Sequence, residues 1–154
     1  MAEGGCLRDI AVDNLEVKGT LTSSSLTHKR PVVAITAART IVPSESGTIF
    51  TVSGAGGAYI INLPTVANGS GCHFTFFVAN SDNDVTISSN AANIRGNLMI
   101  QADTEEDNRV ACAGVTSVLL EAASLVGDSL EIFGDGTNYY VIARGSAQGA
   151  FSTA

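Results

Sequence analysis

The chain is poor in the residues on which most protein chemistry depends. Its 154 residues include no tryptophan, two histidines and three cysteines, and charged residues make up only 15%. No two cysteines have the spacing of metal ligands, and no serine, histidine and acid stand in the context of a recognisable catalytic triad. An enzyme needs positioned acids, bases, nucleophiles or metal ligands. We therefore expect a protein that is not an enzyme and that uses no metal or cofactor.

Charge and hydropathy exclude two classes of partner. The net charge is -7 and the sequence pI is about 4.6, which disfavours binding to the phosphates of nucleic acid. No apolar run approaches the roughly 20 residues that cross a bilayer, and Met1 to Gly5 have neither the charged nor the apolar region of a signal peptide. The odd cysteine count fits a reducing cytosol. We expect Cys72 and Cys112 to be small buried hydrophobes and Cys6 to be a free thiol.

Two local patterns that could carry chemistry fall short of a site. Cys72 and His73 are adjacent on a predicted strand, where successive side chains point to opposite faces, so they cannot form a nucleophile and base pair. The acidic run from Asp103 to Asp107 lacks the glycine-centred, alternating oxygen spacing of a calcium loop. We expect it to be a solvated loop.

What the chain does contain is the pattern of strands. Runs rich in valine, isoleucine and phenylalanine are separated by turn signals roughly every 8–12 residues, as in β-sandwiches and barrels. Phe74 and Phe76 alternate on one such run. Residues 115–126 also fit a helical face, but their β-branched residues favour a strand. The sequence predicts an all-β domain over residues 31–154, an antiparallel, jelly-roll-like β-sandwich with almost no helix.

The clearest local signal is a β-hairpin near residue 135. Leu130, Ile132, Tyr140 and Ile142 are apolar at every second position, which is the period of a half-buried strand. Gly-Asp-Gly-Thr-Asn at residues 134–138 separates the two runs and is rich in residues that favour tight turns. We expect these four apolar residues to form the buried side of the hairpin.

Residues 1–30 are predicted to be an extended β arm and linker that precede the domain. Six apolar residues alternate along the arm without a visible core of their own, and we expect them to bind a partner: Leu7, Ile10, Val12, Leu15, Val17 and Leu21. The run from Asn14 to Thr22 resembles the shafts of trimeric viral fibre proteins, in which three chains wrap around one axis; the alternative is an ordinary edge hairpin of the main domain. The mean hydropathy of +0.25 fits two alternatives equally well, namely apolar contacts between subunits or a core rich in alanine and valine.

The hairpin and several short motifs resemble one group of proteins. Gly127-Asp128, followed by Asp-Gly-Thr-Asn-Tyr-Tyr at residues 135–140 and a Gly-Ala-Phe tail, resembles the C-terminal end of small β-rich virion proteins. These are the capsid decoration (cement) proteins and related fibre and knob modules of tailed phages and large DNA viruses. Tyr139 stands where that pattern has tryptophan, and we expect only a packing change. The other matching motifs, in the same order, are Ser46-Gly47 with Phe50, Leu63-Pro64, Gly71 with Phe74 and Phe76, and Asn93-Ile94 with Gly96.

The resemblance implies a viral structural protein made in the host cytoplasm. It would bind the outer surface of the major capsid shell and stabilise the shell. Its expected partners are the major capsid protein and itself, as a homotrimer, with no nucleic acid or membrane partner. The alternative that it implies is a trimeric fibre or knob module that recognises a host-surface glycan. Few aromatic residues, at 6% of the chain, make that alternative less favoured.

Overall fold

The computed structural model of the protein describes residues 29–101 and 109–154. These residues form twelve β-strands and one 3-10 turn, Pro43–Glu45, and contain no α-helix. No helix in this part of the chain could therefore span a membrane. The strands are β1 Val32–Ile35, β2 Arg39–Thr40, β3 Ile49–Ser53, β4 Tyr59–Asn62, β5 His73–Asn80, β6 Val85–Ser88, β7 Ile94–Ile100, β8 Arg109–Val115, β9 Ser117–Leu120, β10 Ser129–Gly134, β11 Tyr139–Gly145 and β12 Phe151–Thr153.

The strands form a large and a small sheet, and the chain alternates between them. The seven-stranded sheet has the order β1-β3-β5-β10-β11-β7-β8, and the five-stranded sheet has the order β12-β9-β6-β4-β2. From β3 to β6, each strand pairs in parallel with the strand two places earlier in the chain. Parallel neighbours need a crossover, and here each crossover includes a strand of the opposite sheet. The β10–β11 hairpin then fills the large sheet between β5 and β7.

One hydrophobic core contains residues from both sheets. Phe50 on β3 lies beside Phe76 on β5 in register, and their rings stack with centroids 5.4 Å apart. Phe74 is 6.3 Å from the same Phe50 ring and is likewise fully buried, as its spacing from Phe76 predicts. The small sheet contributes Ile61, Ile87 and other aliphatic side chains to this cluster. The all-β prediction is therefore confirmed, with two sheets around a common core.

The prediction that the strands pair antiparallel is wrong for half of the strand pairs. Of the ten strand pairs among the described residues, five are parallel. The reason is that period-2 patterning and turn residues mark where strands begin and end but not which strand each one pairs with. Short turns here carry the chain to the other sheet as well as back along the same one. The jelly-roll connectivity is not confirmed.

The predicted hairpin is present, but one of its strands faces the other way. β10 and β11 pair antiparallel, and Leu130 and Ile132 are buried as predicted. On β11, however, Tyr139, Val141 and Ala143 point into the core, whereas Ile142 is 57% exposed. Every residue from 139 to 143 is apolar or aromatic, so the sequence does not determine which set faces inward.

Tyr139 determines the facing of β11 because its large ring has a dedicated place in the core. Its side chain is fully buried, and its hydroxyl donates a 2.8 Å hydrogen bond to the carbonyl oxygen of Pro64. The ring passes close to Gly69, where any Cβ would overlap the tyrosine hydroxyl. Burial raises the pKa of Tyr139 to about 12. A residue expected to cover the hairpin instead anchors it to the 63–71 loop.

Asp128, also part of the matching motifs, has a structural role. It is 2% exposed, and its carboxylate accepts hydrogen bonds from the backbone of Leu125 (2.8 Å) and Ser146 (2.9 Å) and from the Ser146 hydroxyl (2.6 Å). These bonds fasten the turn before β10 to the end of β11. The Gly-Asp motif therefore serves the fold.

Candidate functional site: the outer face of the large sheet

The side of the seven-stranded sheet that points away from the core is the candidate site, and we call it the outer face. Along each strand alternate residues point to opposite sides of a sheet, so every second residue lies on this face. Its inner strands carry Ser129, Glu131 and Phe133 on β10, Tyr140, Ile142 and Arg144 on β11, and Arg95, Asn97 and Met99 on β7.

Aromatic and aliphatic side chains occupy the middle of the outer face. Phe133 and Tyr140 are register partners whose rings stack with centroids 5.1 Å apart. Ile142 and Met99, 57% and 52% exposed, lie beside them, and Phe133 is itself 47% exposed. A groove of about 420 Å³ runs between the aromatic pair and β7, where Asn97 supplies a polar wall. Exposed apolar side chains clustered on inner strands are typical of a surface that binds a partner.

Polar groups border this groove. A smaller cleft of about 80 Å³ lies next to it, shares Ile142, and is lined also by Ser129, Glu131 and Arg144. Glu131 approaches the half-exposed ring of His73 on β5, with 3.6 Å between Nε2 and the carboxylate. Exposed apolar side chains and charged side chains thus lie next to one another on the inner strands of the outer face.

The outer face is basic although the protein is acidic. Four of the six lysines and arginines among the described residues lie on it, and the strands there contribute one carboxylate, Glu131. Four arginines less one glutamate give these residues a formal charge of +3, against -1 for all the described residues, which include six basic and seven acidic side chains. An apolar or acidic ligand is therefore favoured there over a basic one. The four arginines are Arg30, Arg95, Arg109 and Arg144.

The turn between β10 and β11 holds the aromatic pair in place. The Asp135 carboxylate accepts hydrogen bonds from the backbone of Asn138 (2.6 Å) and Thr137 (2.7 Å), and these bonds lower the pKa of Asp135. The side chain of Asn138 in turn accepts a 2.9 Å bond from Arg95 on β7. The turn motif is therefore a rigid connection at the end of the groove, and its polar groups bind one another.

The chain enters the described fold at this same face. The Arg30 guanidinium donates to the Gly47 carbonyl (2.7 Å) and to the hydroxyl of Thr75 on β5 (2.8 Å). Thr75 points to the outer side of the sheet, yet it is only 3% exposed. It lies one strand from Glu131 and two from Ile142 in the register of the sheet. The junction between arm and domain thus lies against the outer face.

No family model, curated protein or solved structure matches this chain.

The described residues contain no group of three or more histidine, cysteine or acidic side chains that could hold a metal ion. Cys72 and Cys112 are free and buried, as predicted, and burial raises the pKa of the Cys112 thiol to about 11. His73 faces outward towards Glu131, while the Cys72 sulfur lies near the carbonyls of Pro43 and Asn68. The two neighbours therefore point apart, as expected for adjacent residues of a strand.

The predicted binding residues lie outside the described residues, as do Cys6 and the acidic run of residues 103–107. The assignment of Leu7, Ile10, Val12, Leu15, Val17 and Leu21 to a partner contact stays a prediction. The outer face itself was missed, because Tyr140 and Ile142 were assigned to the core. The signal that could have revealed it is the unbroken apolar run of β11, since a strand buried on one side needs only half of those residues.

Proposed function

We propose that the protein is a virion structural protein that decorates the outer surface of the major capsid shell and stabilises it. The observation that carries this proposal is the outer face, where exposed apolar side chains and charged side chains lie together on the inner strands of the large sheet. A shell-binding protein needs such a surface more than it needs a catalytic site. The ordered set of motifs shared with decoration proteins supports the same function, and we propose accordingly that the protein is not an enzyme.

The proposed partners are the major capsid protein and two further copies of this chain. The arm, residues 1–30, would lie on the shell and the two-sheet domain would protrude from it as a β-sandwich. Apolar residues of an arm without its own core need a surface outside the arm to bury them. A homotrimer matches the threefold positions of an icosahedral shell. Light scattering should give the mass of three chains, and a monomer mass at micromolar concentration would contradict a stable trimer.

Co-sedimentation with undecorated shells tests the proposal. Full-length protein should pellet with the shells, while a variant without residues 1–28 should stay folded and should pellet less, because it keeps the outer face but lacks the arm. Circular dichroism provides the control, because the truncation keeps every strand described above and should keep the same β spectrum. Shells that bind neither protein would overturn the proposed function. Full-strength binding by the truncation would place the contact on the domain.

A second candidate function is a fibre or knob module that recognises a host-surface glycan. The stacked pair of Phe133 and Tyr140 beside Asn97 favours it, because sugar sites combine an exposed aromatic ring with polar neighbours. A Phe133→Ala variant should lose the glycan-array binding that the full-length protein shows. Absence of any glycan signal from full-length protein would remove this candidate.

A further inference from the structure

We propose that the groove of the outer face is a docking site for the arm of the same chain, with residues 7–21 lying across Phe133, Tyr140, Ile142 and Met99 when no other partner holds them. This inference concerns the free protein and does not depend on whether the final partner is a capsid shell.

The chain enters the domain close to the groove. Arg30 is bonded to Thr75 on the outer face, two strands away from Ile142. Adjacent strands lie about 4.8 Å apart, so the groove is about 10 Å from this anchor. The eight residues 22–29 can span up to about 26 Å. Residues 7–21 therefore reach the groove without strain.

The groove and the arm both present apolar side chains. The groove is mainly apolar and offers few hydrogen-bonding side chains, which favours aliphatic side chains over a sugar. The arm carries apolar residues at alternate positions, including Ile10, Val12 and Leu15. An extended segment of this kind presents one row of apolar side chains to the surface beneath it.

The arm and the outer face carry opposite net charges. Residues 1–28 contain four acidic residues (Glu3, Asp9, Asp13 and Glu16) and two basic ones (Arg8 and Lys18), which gives -2. The outer face carries +3 by the count above. Arg30, where the arm joins the domain, is itself one of the four arginines of this face. Opposite charges therefore favour the arm as occupant of its own outer face.

The cysteine distribution allows a direct test on the full-length chain. Cys72 and Cys112 are buried, so a thiol-reactive nitroxide should label Cys6 in the arm. Methyl resonances of Met99 and Ile142 should be broadened by the nitroxide, and those of Ile60 should not. Ile60 is a matched reference because it is 49% exposed and lies on β4 of the other sheet.

Two variants and one mixture make the test decisive. Ile142→Asp should abolish the broadening at Met99, whereas Ile60→Asp should leave it unchanged. Labelled protein of natural isotopic abundance, mixed in urea and refolded with methyl-labelled Cys6→Ser protein, should broaden nothing. Broadening in that mixture would show that the arm of another copy occupies the groove and would overturn the assignment to the same chain. If the nitroxide broadened the methyl resonances of Met99 and Ile60 to the same extent, the proposed docking of the arm in the groove would be wrong.

Discussion

Replacing Tyr139 with phenylalanine removes one hydroxyl from the interior and leaves everything else in place. That hydroxyl is the donor to the buried carbonyl of Pro64, at 2.8 Å. A buried acceptor that loses its partner costs about 1–3 kcal/mol of unfolding free energy. For a chain of this length each kcal/mol lowers Tm by about 2–4 °C. Chemical denaturation at pH 8 should show this loss, while the matched variant Tyr140→Phe on the outer face should change stability by less than about 0.5 kcal/mol.

The pH dependence provides a stricter test of the same contact. In the unfolded chain the tyrosine ionises near its ordinary pKa of 10, whereas burial raises the pKa of folded Tyr139 to about 12. The folded protein therefore keeps a proton that the unfolded chain loses between pH 10 and pH 12. The wild type should lose about 2–3 kcal/mol over that window, and none of it below pH 10.

Tyr139→Phe cannot lose this contribution, because it has no group to ionise at that position. The difference between wild type and variant should consequently shrink as pH rises from 10 to 12, and other groups that titrate there cancel in the comparison. A variant as stable as the wild type at pH 8 would refute the buried hydrogen bond. A difference that stays constant up to pH 12 would refute the burial of the hydroxyl.

Two further predictions follow from burial. In native protein at pH 8 a thiol reagent should modify Cys6 rapidly, but should modify Cys72 and Cys112 only after unfolding. Both of these cysteines are buried, and burial raises the pKa of Cys112 to about 11. Rapid modification of all three cysteines would contradict the burial of Cys72 and Cys112. Asp128→Ala should cost about 2–4 kcal/mol in chemical denaturation because it removes three hydrogen bonds to a buried carboxylate, whereas Asp82→Ala in an exposed turn should cost less than about 0.5 kcal/mol. Equal losses in the two variants would contradict the structural role of Asp128.

The strands were predictable because their signals are local. Alternation of apolar residues places Phe74 and Phe76 on one buried face of β5. Residues 115–126 contain the end of β8 and all of β9, so the β-branched residues outweighed the helical spacing there. Such patterns depend only on neighbours within the chain.

Pairing and facing were not predictable because they depend on distant residues. β3 lies between β1 and β5, in parallel with both, and nothing within the strand itself specifies either partner. The facing of β11 depends on the space that Gly69 leaves for Tyr139 and on the Pro64 carbonyl, more than 60 residues earlier in the chain. Because the outer face follows from that facing, the candidate site could not be located before the strand register was known.

Our proposal that the protein decorates a capsid shell can be checked by its copy number relative to the major capsid protein in purified virions. Quantitative mass spectrometry against the major capsid protein measures that ratio without assumptions about the binding site. The proposal predicts copies in proportion to the threefold positions of the shell, so that the two proteins occur in comparable amounts. Only the few copies that a vertex or tail provides would contradict decoration and support the fibre or knob alternative, and absence from the virion would contradict both.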